Sequence, residues 1–415
     1  MRKVWGLAGV TLALVAAALY LAGRETPPIR IGILHSTSGT MALSELPLID
    51  AAQLAVAEIN REGGVLGRRL EAIVADGQSD PAAFAAAAER LIAEDGVSAL
   101  FGTWTSASRK AVKPVVERED HLLFYPLQYE GLEQSPNIIY LGAVPNQQIL
   151  PAVRWALFNL GPRFYLVGSD YVFPRAAHEI IRTQLSRWPA GVVGETFVPL
   201  GSPDVGEAIR GIIATKPDVI LSTLNGDSNV AFFEALGAAG LSAETAPVVS
   251  FSVAEEELQY LPAAAMQGHY AAWSYFQSTV SGANERFLAR FRDRYGAARV
   301  TSDPIETAYV AVRLYAEAVA AAGSDDPARV REALADRSFS GPGGLIHVDG
   351  RTRHTWKTMR IGRIRDDGQF DIVWTSGLPV APLPFPALRP EQEWTAFLDR
   401  LQAGWGGNWA PPQAQ

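Results

Sequence analysis

From Ile29 to about Phe251 the chain alternates short β-rich runs with helical stretches, and it does so twice in series. The first run, Ile29-Arg30-Ile31-Gly32-Ile33-Leu34-His35, ends in Ser36-Thr37-Ser38-Gly39. A helix follows, with Ile49, Ala52, Leu54, Ala55 and Ile59 at helical spacing, and Gly63-Gly64 stops it. Strands are then expected at Leu70–Ala75, Val97–Phe101 and Leu122–Tyr125, separated by helices at Pro81–Glu94 and Ser106–Glu117. The same grammar restarts after Asn146. Helices at Gln147–Asn159, Ala176–Arg187, Val205–Thr215 and Asn229–Ala239 alternate with strands at Phe164–Gly168, Gly191–Val198, Val219–Thr223 and Val248–Phe251. Strands alternating with helices of this length form right-handed βαβ units on a parallel sheet. The pattern predicts an α/β protein of two lobes, each built on a doubly wound parallel sheet.

Beyond the second lobe the pattern is less regular. Helices are expected at Ala283–Tyr295, Pro304–Ala322 and Pro327–Ala335, after a strand near Gly268–Trp273. Ser338–Val348 and Thr355–Trp374 read as antiparallel strands. From Pro379 the chain turns Pro-rich, passes a short helix near Gln392–Leu401, and carries Trp394, Trp405 and Trp409 toward its end. This extension is read as packing on the body of the protein or docking on a partner. No internal sequence repeat is present.

The N-terminal residues have a different character. Arg2 and Lys3 precede an uncharged, apolar run of 20 residues from Val4 to Gly23, followed by Arg24, Glu25 and Pro27-Pro28. A basic start before an apolar stretch is the architecture of an export signal. The run is also long enough to span the hydrocarbon of a bilayer. A cleaved signal, using the small residues Ala16 and Ala18, and a retained membrane anchor are both open. In either case positive charge on the N-terminal side places the body outside the cytoplasm, in the periplasm or its equivalent.

Composition removes whole classes of function. With no Cys there is no disulfide framework, no thiol nucleophile and no Cys-ligated metal. A net charge of −8, with no basic tract, excludes a nucleic-acid binder. His178-Glu179 begins like a zinc-protease helix, but Arg182 stands where the second His is needed. The six His residues are scattered, and no nucleophile elbow, Walker loop or dinucleotide fingerprint occurs. No enzyme activity, cofactor or metal is expected. Glu255-Glu256-Glu257 reads as a solvated helix face.

Polar and aromatic residues gather instead at the carboxyl ends of the expected strands, where open α/β sheets hold ligands. Gly102-Thr103-Trp104-Thr105-Ser106 follows one strand and Tyr125-Pro126-Leu127-Gln128-Tyr129-Glu130 the next. On the second lobe stand Gly168-Ser169-Asp170-Tyr171 and Ser222-Thr223-Leu224-Asn225-Gly226-Asp227-Ser228-Asn229. Thr105 or Ser106 would cap the next helix. Four such ends, two in each lobe, predict a cleft between the lobes.

From Ile31 to about Pro384 the chain resembles the periplasmic substrate-binding proteins of the branched-chain amino acid type, and within them the urea and short-chain amide branch. The resemblance is carried by His35-Ser36-Thr37-Ser38-Gly39-Thr40-Met41-Ala42, Trp104-Thr105-Ser106-Ala107-Ser108-Arg109-Lys110-Ala111-Val112 and Phe124-Tyr125-Pro126-Leu127-Gln128-Tyr129-Glu130-Gly131-Leu132-Glu133. Pro145-Asn146-Gln147-Gln148, Gly168-Ser169-Asp170-Tyr171, Leu224-Asn225-Gly226-Asp227 and Gly268-His269-Tyr270-Ala271-Ala272-Trp273 add to it, in the same order along the chain.

The resemblance implies two lobes joined by a three-strand hinge that close on a ligand. It assigns residues 29–145 and about 275–345 to one lobe, 146–274 and about 346–380 to the other, with 1–28 a signal or anchor and 381–415 an extension. It implies a pocket lined by Trp104, Ser106, Tyr125, Tyr171, Asn225 and Asp227. In that pocket Ser106 donates to a carbonyl oxygen, Asn225 and Asp227 accept from NH₂ groups, and the three aromatic faces sandwich a planar neutral solute. The bland reading of each aromatic is lobe core. The implied function is capture of urea or a short amide for an ABC permease; the alternatives are a membrane-tethered amide or urea sensor and a trap for an amino acid.

Overall fold

The computed structural model describes residues 26–412, so the apolar Val4–Gly23 segment lies outside the described residues. Among those described, no helix is long and apolar enough to cross a membrane.

The first lobe carries β1 (Ile29–His35), α1 (Ala42–Arg61), β2 (Leu70–Asp76), α2 (Pro81–Ala93), β3 (Leu100–Gly102), α3 (Ser106–Arg118), β4 (Leu123–Tyr125) and β5 (Ile138–Tyr140). The strands are all parallel, in the order β2-β1-β3-β4-β5. The three short strands are buried along their whole length, as a sheet covered on both faces requires. Side-chain caps start the helices that follow: Asp80 accepts from the Ala83 amide and Thr105 from the Ser108 amide.

The second lobe contains α4 (Ile149–Asn159), β6 (Arg163–Ser169), α5 (Val172–Leu185), β7 (Gly191–Val198), α6 (Gly206–Thr215), β8 (Val219–Thr223), α7 (Ser228–Ala238) and β9 (Val248–Ser250). Two one-turn helices, α8 (Glu255–Leu258) and α9 (Ala263–Met266), lead to β10 (Tyr270–Trp273). The chain then returns to the first lobe through α10 (Gly282–Tyr295), α11 (Asp303–Ala322) and α12 (Pro327–Leu334). β11 (Ser338–Gly341), β12 (Gly344–Val348) and β13 (Thr355–Trp356) form a small antiparallel sheet. β14 (Arg360–Ile364) and β15 (Phe370–Thr375) then extend the second sheet, giving the order β15-β14-β10-β9-β8-β6-β7. Its first two strands are antiparallel additions to five parallel ones. α13 (Glu391–Gly404) closes the chain.

The core residues divide in the same way. One apolar core draws on Ile29 to Val144 and again on Phe287 to Val348. Two others, one on each face of the second sheet, draw mainly on Ile149 to Phe276 and on Met359 to Phe370. The chain thus passes from one lobe to the other three times, and the fold is the two-lobed α/β architecture that the alternation predicts.

Candidate ligand-binding site

The polar loops at the strand ends meet between the lobes. After β3 the chain turns through Thr103-Trp104-Thr105 into α3, and Thr105 is the cap, its hydroxyl accepting from the Ser108 amide at 3.1 Å. Ser106, not needed as a cap, faces the loop after β4. Its Oγ donates to Glu130 Oε2 at 2.5 Å and accepts from Arg109 Nη1 at 3.1 Å. The hydroxyl expected to donate to a ligand oxygen is therefore engaged by Glu130.

Trp104 links the lobes. Its carbonyl accepts from the Tyr125 hydroxyl at 2.8 Å, and its indole Nε1 donates to Asn225 Oδ1 at 3.4 Å. Asn225 Nδ2 donates in turn to the Tyr171 oxygen at 3.0 Å and to the Thr223 carbonyl at 3.2 Å. Tyr125, Trp104, Asn225 and Tyr171 make one chain of polar contacts, two residues from each lobe, and none is more than 3% exposed. Burial pushes both phenols up, so their protons stay in place.

Asp227 stands apart from this chain. It is exposed at the start of α7, and its side chain makes no capping bond. Its backbone amide donates instead to Thr40 Oγ1 of the first lobe at 3.3 Å. The preceding Gly226 has φ +62°, and a Cβ there would come within 2.9 Å of the Thr40 carbonyl. At this close approach of the lobes Asp227 lies exposed, outside the buried chain of Tyr125, Trp104, Asn225 and Tyr171.

Beside Ser106 lies a buried ion cluster. Arg109, fully buried, gives Nε to Glu133 at 2.9 Å and Nη2 to Glu130 at 3.1 Å. Its guanidinium covers the rings of Tyr125 and Tyr129 at 4.7 and 4.2 Å. Lys110 Nζ reaches Glu133 at 2.7 Å. Burial opposes the charge on Arg109, but Glu133 and Glu130 outweigh it and hold the guanidinium protonated. Burial likewise opposes the charge on Glu133, and Arg109 and Lys110 keep its carboxyl well below the ordinary range. Two cations meet two carboxylates here, so the cluster carries no net charge.

Comparison with known proteins decides the family. A model described as a periplasmic binding protein domain matches residues 29–391. The chain belongs to the periplasmic binding protein family. Leu/Ile/Val-binding protein homolog 6 of Brucella melitensis biotype 1 is 23% identical over 379 residues, covering 89% of this chain and 95% of that protein. A solute-binding protein of an ABC transporter from Rhodopseudomonas palustris HaA2, solved with p-hydroxybenzoic acid, superimposes with a TM-score of 0.78 at 24% identity, over 87% of this chain and 99% of that one. A limonene hydroxylase of Geobacillus stearothermophilus is 34% identical over 140 residues, 32% of this chain, and the chain spans 26% of that protein.

Periplasmic binding proteins hold ligands and do not transform them. Among the described residues of this one, no group of three His, Cys, Asp or Glu side chains is placed to bind a metal ion.

In this binding protein the Glu255-Glu256-Glu257 triplet is not a solvated face. All three carboxyls are buried, at 0, 4 and 5% exposure. Glu257 accepts from Ser44 Oγ of the first lobe at 2.7 Å, Glu256 from Ser302 Oγ at 2.7 Å, and Glu255 from the Gln277 amide at 2.7 Å. Burial raises all three, Glu255 to about 8 and Glu257 to about 7. One-turn α8 sits where β9 delivers it against α1 and α11, and this tertiary placement overrides the polarity of its sequence.

Several functional candidates escaped the sequence reading. Thr103 Oγ1, Gln128 Oε1, Ser252 Oγ and Glu255 Oε2 are buried without hydrogen-bond partners in the protein. Thr103, Gln128 and Ser252 stand in the loops that follow β3, β4 and β9, and Glu255 opens α8. Gln128 Nε2 donates to the Phe251 carbonyl at 2.8 Å, which brings the ends of β4 and β9 together. The missed signal was Ser252: it follows β9 just as Asn225 follows β8.

Proposed function

We propose that this protein captures urea or a short-chain amide between its lobes in the periplasm and delivers it to an ABC permease. Charge is the observation that carries the reading: Arg109 and Lys110, the cations beside Ser106, are both engaged by Glu130 and Glu133. A carboxylate ligand needs an unengaged cation or a dense set of donors when it is buried. That requirement applies to the amino acids named for the Brucella relative and to the hydroxybenzoate held by the Rhodopseudomonas protein. A planar neutral amide has no such need. Its N–H groups match acceptors such as Gln128 Oε1 and Asn225 Oδ1, and its faces match the rings of Trp104, Tyr125 and Tyr171. Ser106 orients the Glu130–Arg109 pair beneath the ligand, and Asp227 is left outside the contact set.

Titration calorimetry with urea, acetamide, formamide, leucine and 4-hydroxybenzoate tests this. The expected result is a one-to-one heat for urea or an amide and none for the two carboxylates. A saturable heat for leucine or hydroxybenzoate, with silence for every amide, overturns the reading.

A further inference from the structure

The family match ends at residue 391, and the chain continues through α13 and beyond. This tail packs on the body. Trp394 is fully buried and donates its indole N–H to the Pro386 carbonyl at 3.0 Å. Trp394 and Leu398 join the core of the second lobe, against which Phe397, Leu401, Trp405 and Trp409 also pack. Arg389 fixes the approach to α13 by bonding Glu179 and Thr183 of α5 at 2.5 and 2.6 Å.

The residues after α13 make a different kind of contact. α5 starts at Tyr171 with no side-chain cap. The amide of Val172 donates to the Trp409 carbonyl at 3.0 Å, so the tail supplies the missing acceptor. The ring of the same Trp409 lies over the ammonium of Lys110, 4.5 Å from Nζ to its centroid. Lys110 belongs to α3 of the first lobe, and it holds Glu133 of the ion cluster that engages Ser106. Between α13 and α3 lies a cavity of about 460 Å³, lined by Lys113, Glu117 and Gln134 on one side and Glu391, Asp399 and Gln402 on the other. Trp409 therefore touches both lobes at once, next to the residues that face the cleft.

We propose that the C-terminal tail is a clasp, in which Trp409 caps α5 of one lobe with its carbonyl and covers Lys110 of the other with its ring, holding the cleft closed. Parting of α3 from α5 must break one of the two contacts. The tail thereby sets the balance between open and closed forms, and through it the affinity for whatever the cleft holds.

The chain has no Cys, so Ala93→Cys on α2 and Ala239→Cys after α7 give a clean pair of spin-label sites, one on each lobe. Pulsed EPR on the full chain without ligand reads the lobe separation directly. The parent is expected to show one short distance. W409A, which keeps the carbonyl, is expected to raise the open-to-closed ratio by roughly 2- to 30-fold, the range for a cation–π contact from exposed to desolvated. A chain ending at Gly407, which loses both contacts, should open further, and W409F, which keeps both a ring and the carbonyl, should resemble the parent. Unchanged distances in W409A and in the truncated chain overturn the clasp. The readout needs no ligand, so the clasp and the amide reading fail or stand separately.

Discussion

The indole Nε1 of Trp104 lies 3.4 Å from Asn225 Oδ1, a contact between loops 121 residues apart on different lobes. At that length it is a weak hydrogen bond. Its partner is nonetheless held firmly, because the Asn225 amide is fixed by Tyr171 and by the Thr223 carbonyl. Shorter bonds from Gln128 and Ser44 also join the lobes, so this contact is one that a better partner can replace at small cost. A small ligand offering both an acceptor and donors is such a partner.

Replacing Trp104 by Phe retains the ring and removes the donor. Ligand affinity should fall by about 0.5–1.5 kcal/mol, the net worth of one hydrogen bond. The melting temperature should fall modestly, since Phe fills less of this buried site than the indole does. Calorimetry beside a thermal melt separates the two effects. A lowered melt with intact affinity would show the indole to be core alone.

Asp227→Ala should leave affinity and stability nearly unchanged, within about 0.5 kcal/mol, as expected of an exposed side chain with no partner. The same titration checks it. A tenfold or larger loss would return Asp227 to the contact set.

Arg109→Met should be severe. It leaves Glu130 and Glu133 buried with Lys110 as their one close cation, and breaking a buried pair in this way costs about 3–5 kcal/mol. Adding Glu130→Gln removes the surplus anion and should recover part of the loss. Chemical denaturation of the single and double variants measures the recovery, and no recovery would mean that packing against Tyr125 and Tyr129 matters more than charge.

The buried glutamates predict that stability falls with rising pH. Burial raises Glu255 from 4.5 to about 8 and Glu257 to about 7, so the folded chain holds protons that the unfolded chain releases above about pH 4.5. Stability from these groups is complete below that pH and is lost as pH climbs toward the folded values, by up to about 1.4 kcal/mol per unit per group. His178, His269 and His354, which burial lowers from 6.5, act in the opposite sense, but their effect is complete near pH 7. Between about pH 7 and pH 8 the carboxyls therefore decide the slope. Denaturation at both values should show a drop in the parent and a smaller one in Glu255→Gln, where Glu256 and Glu257 supply the remainder; equal slopes would reject the assignment.

The lobes were legible because periodicity is local. The runs at Ile29–His35 and Val219–Thr223, and the helices between strands, announce themselves within a dozen residues. β5 was not legible: Ile138–Tyr140 has three residues, too few to show a period, and it exists because β4 offers it an edge. The meeting of the loops that carry Trp104, Tyr125, Tyr171 and Asn225 followed from one rule about strand ends, and the resemblance singled out those residues within them, whereas the commitment of the Ser106 proton depended on Glu130, a loop carboxylate whose direction no pattern encodes. The Glu255-Glu256-Glu257 triplet misled for the same reason. Ser44 is 213 residues from Glu257, and only the assembled lobes bring them within 2.7 Å.

The threefold passage between lobes also dictates when this chain can become a protein at all. The core of the first lobe is incomplete until Phe287 to Val348 arrives, and the second sheet lacks its edge until β14 and β15 are made. No leading stretch of the chain contains every residue of either lobe's interior. The order of the segments thus leaves each lobe waiting on a late stretch of chain before its interior can close.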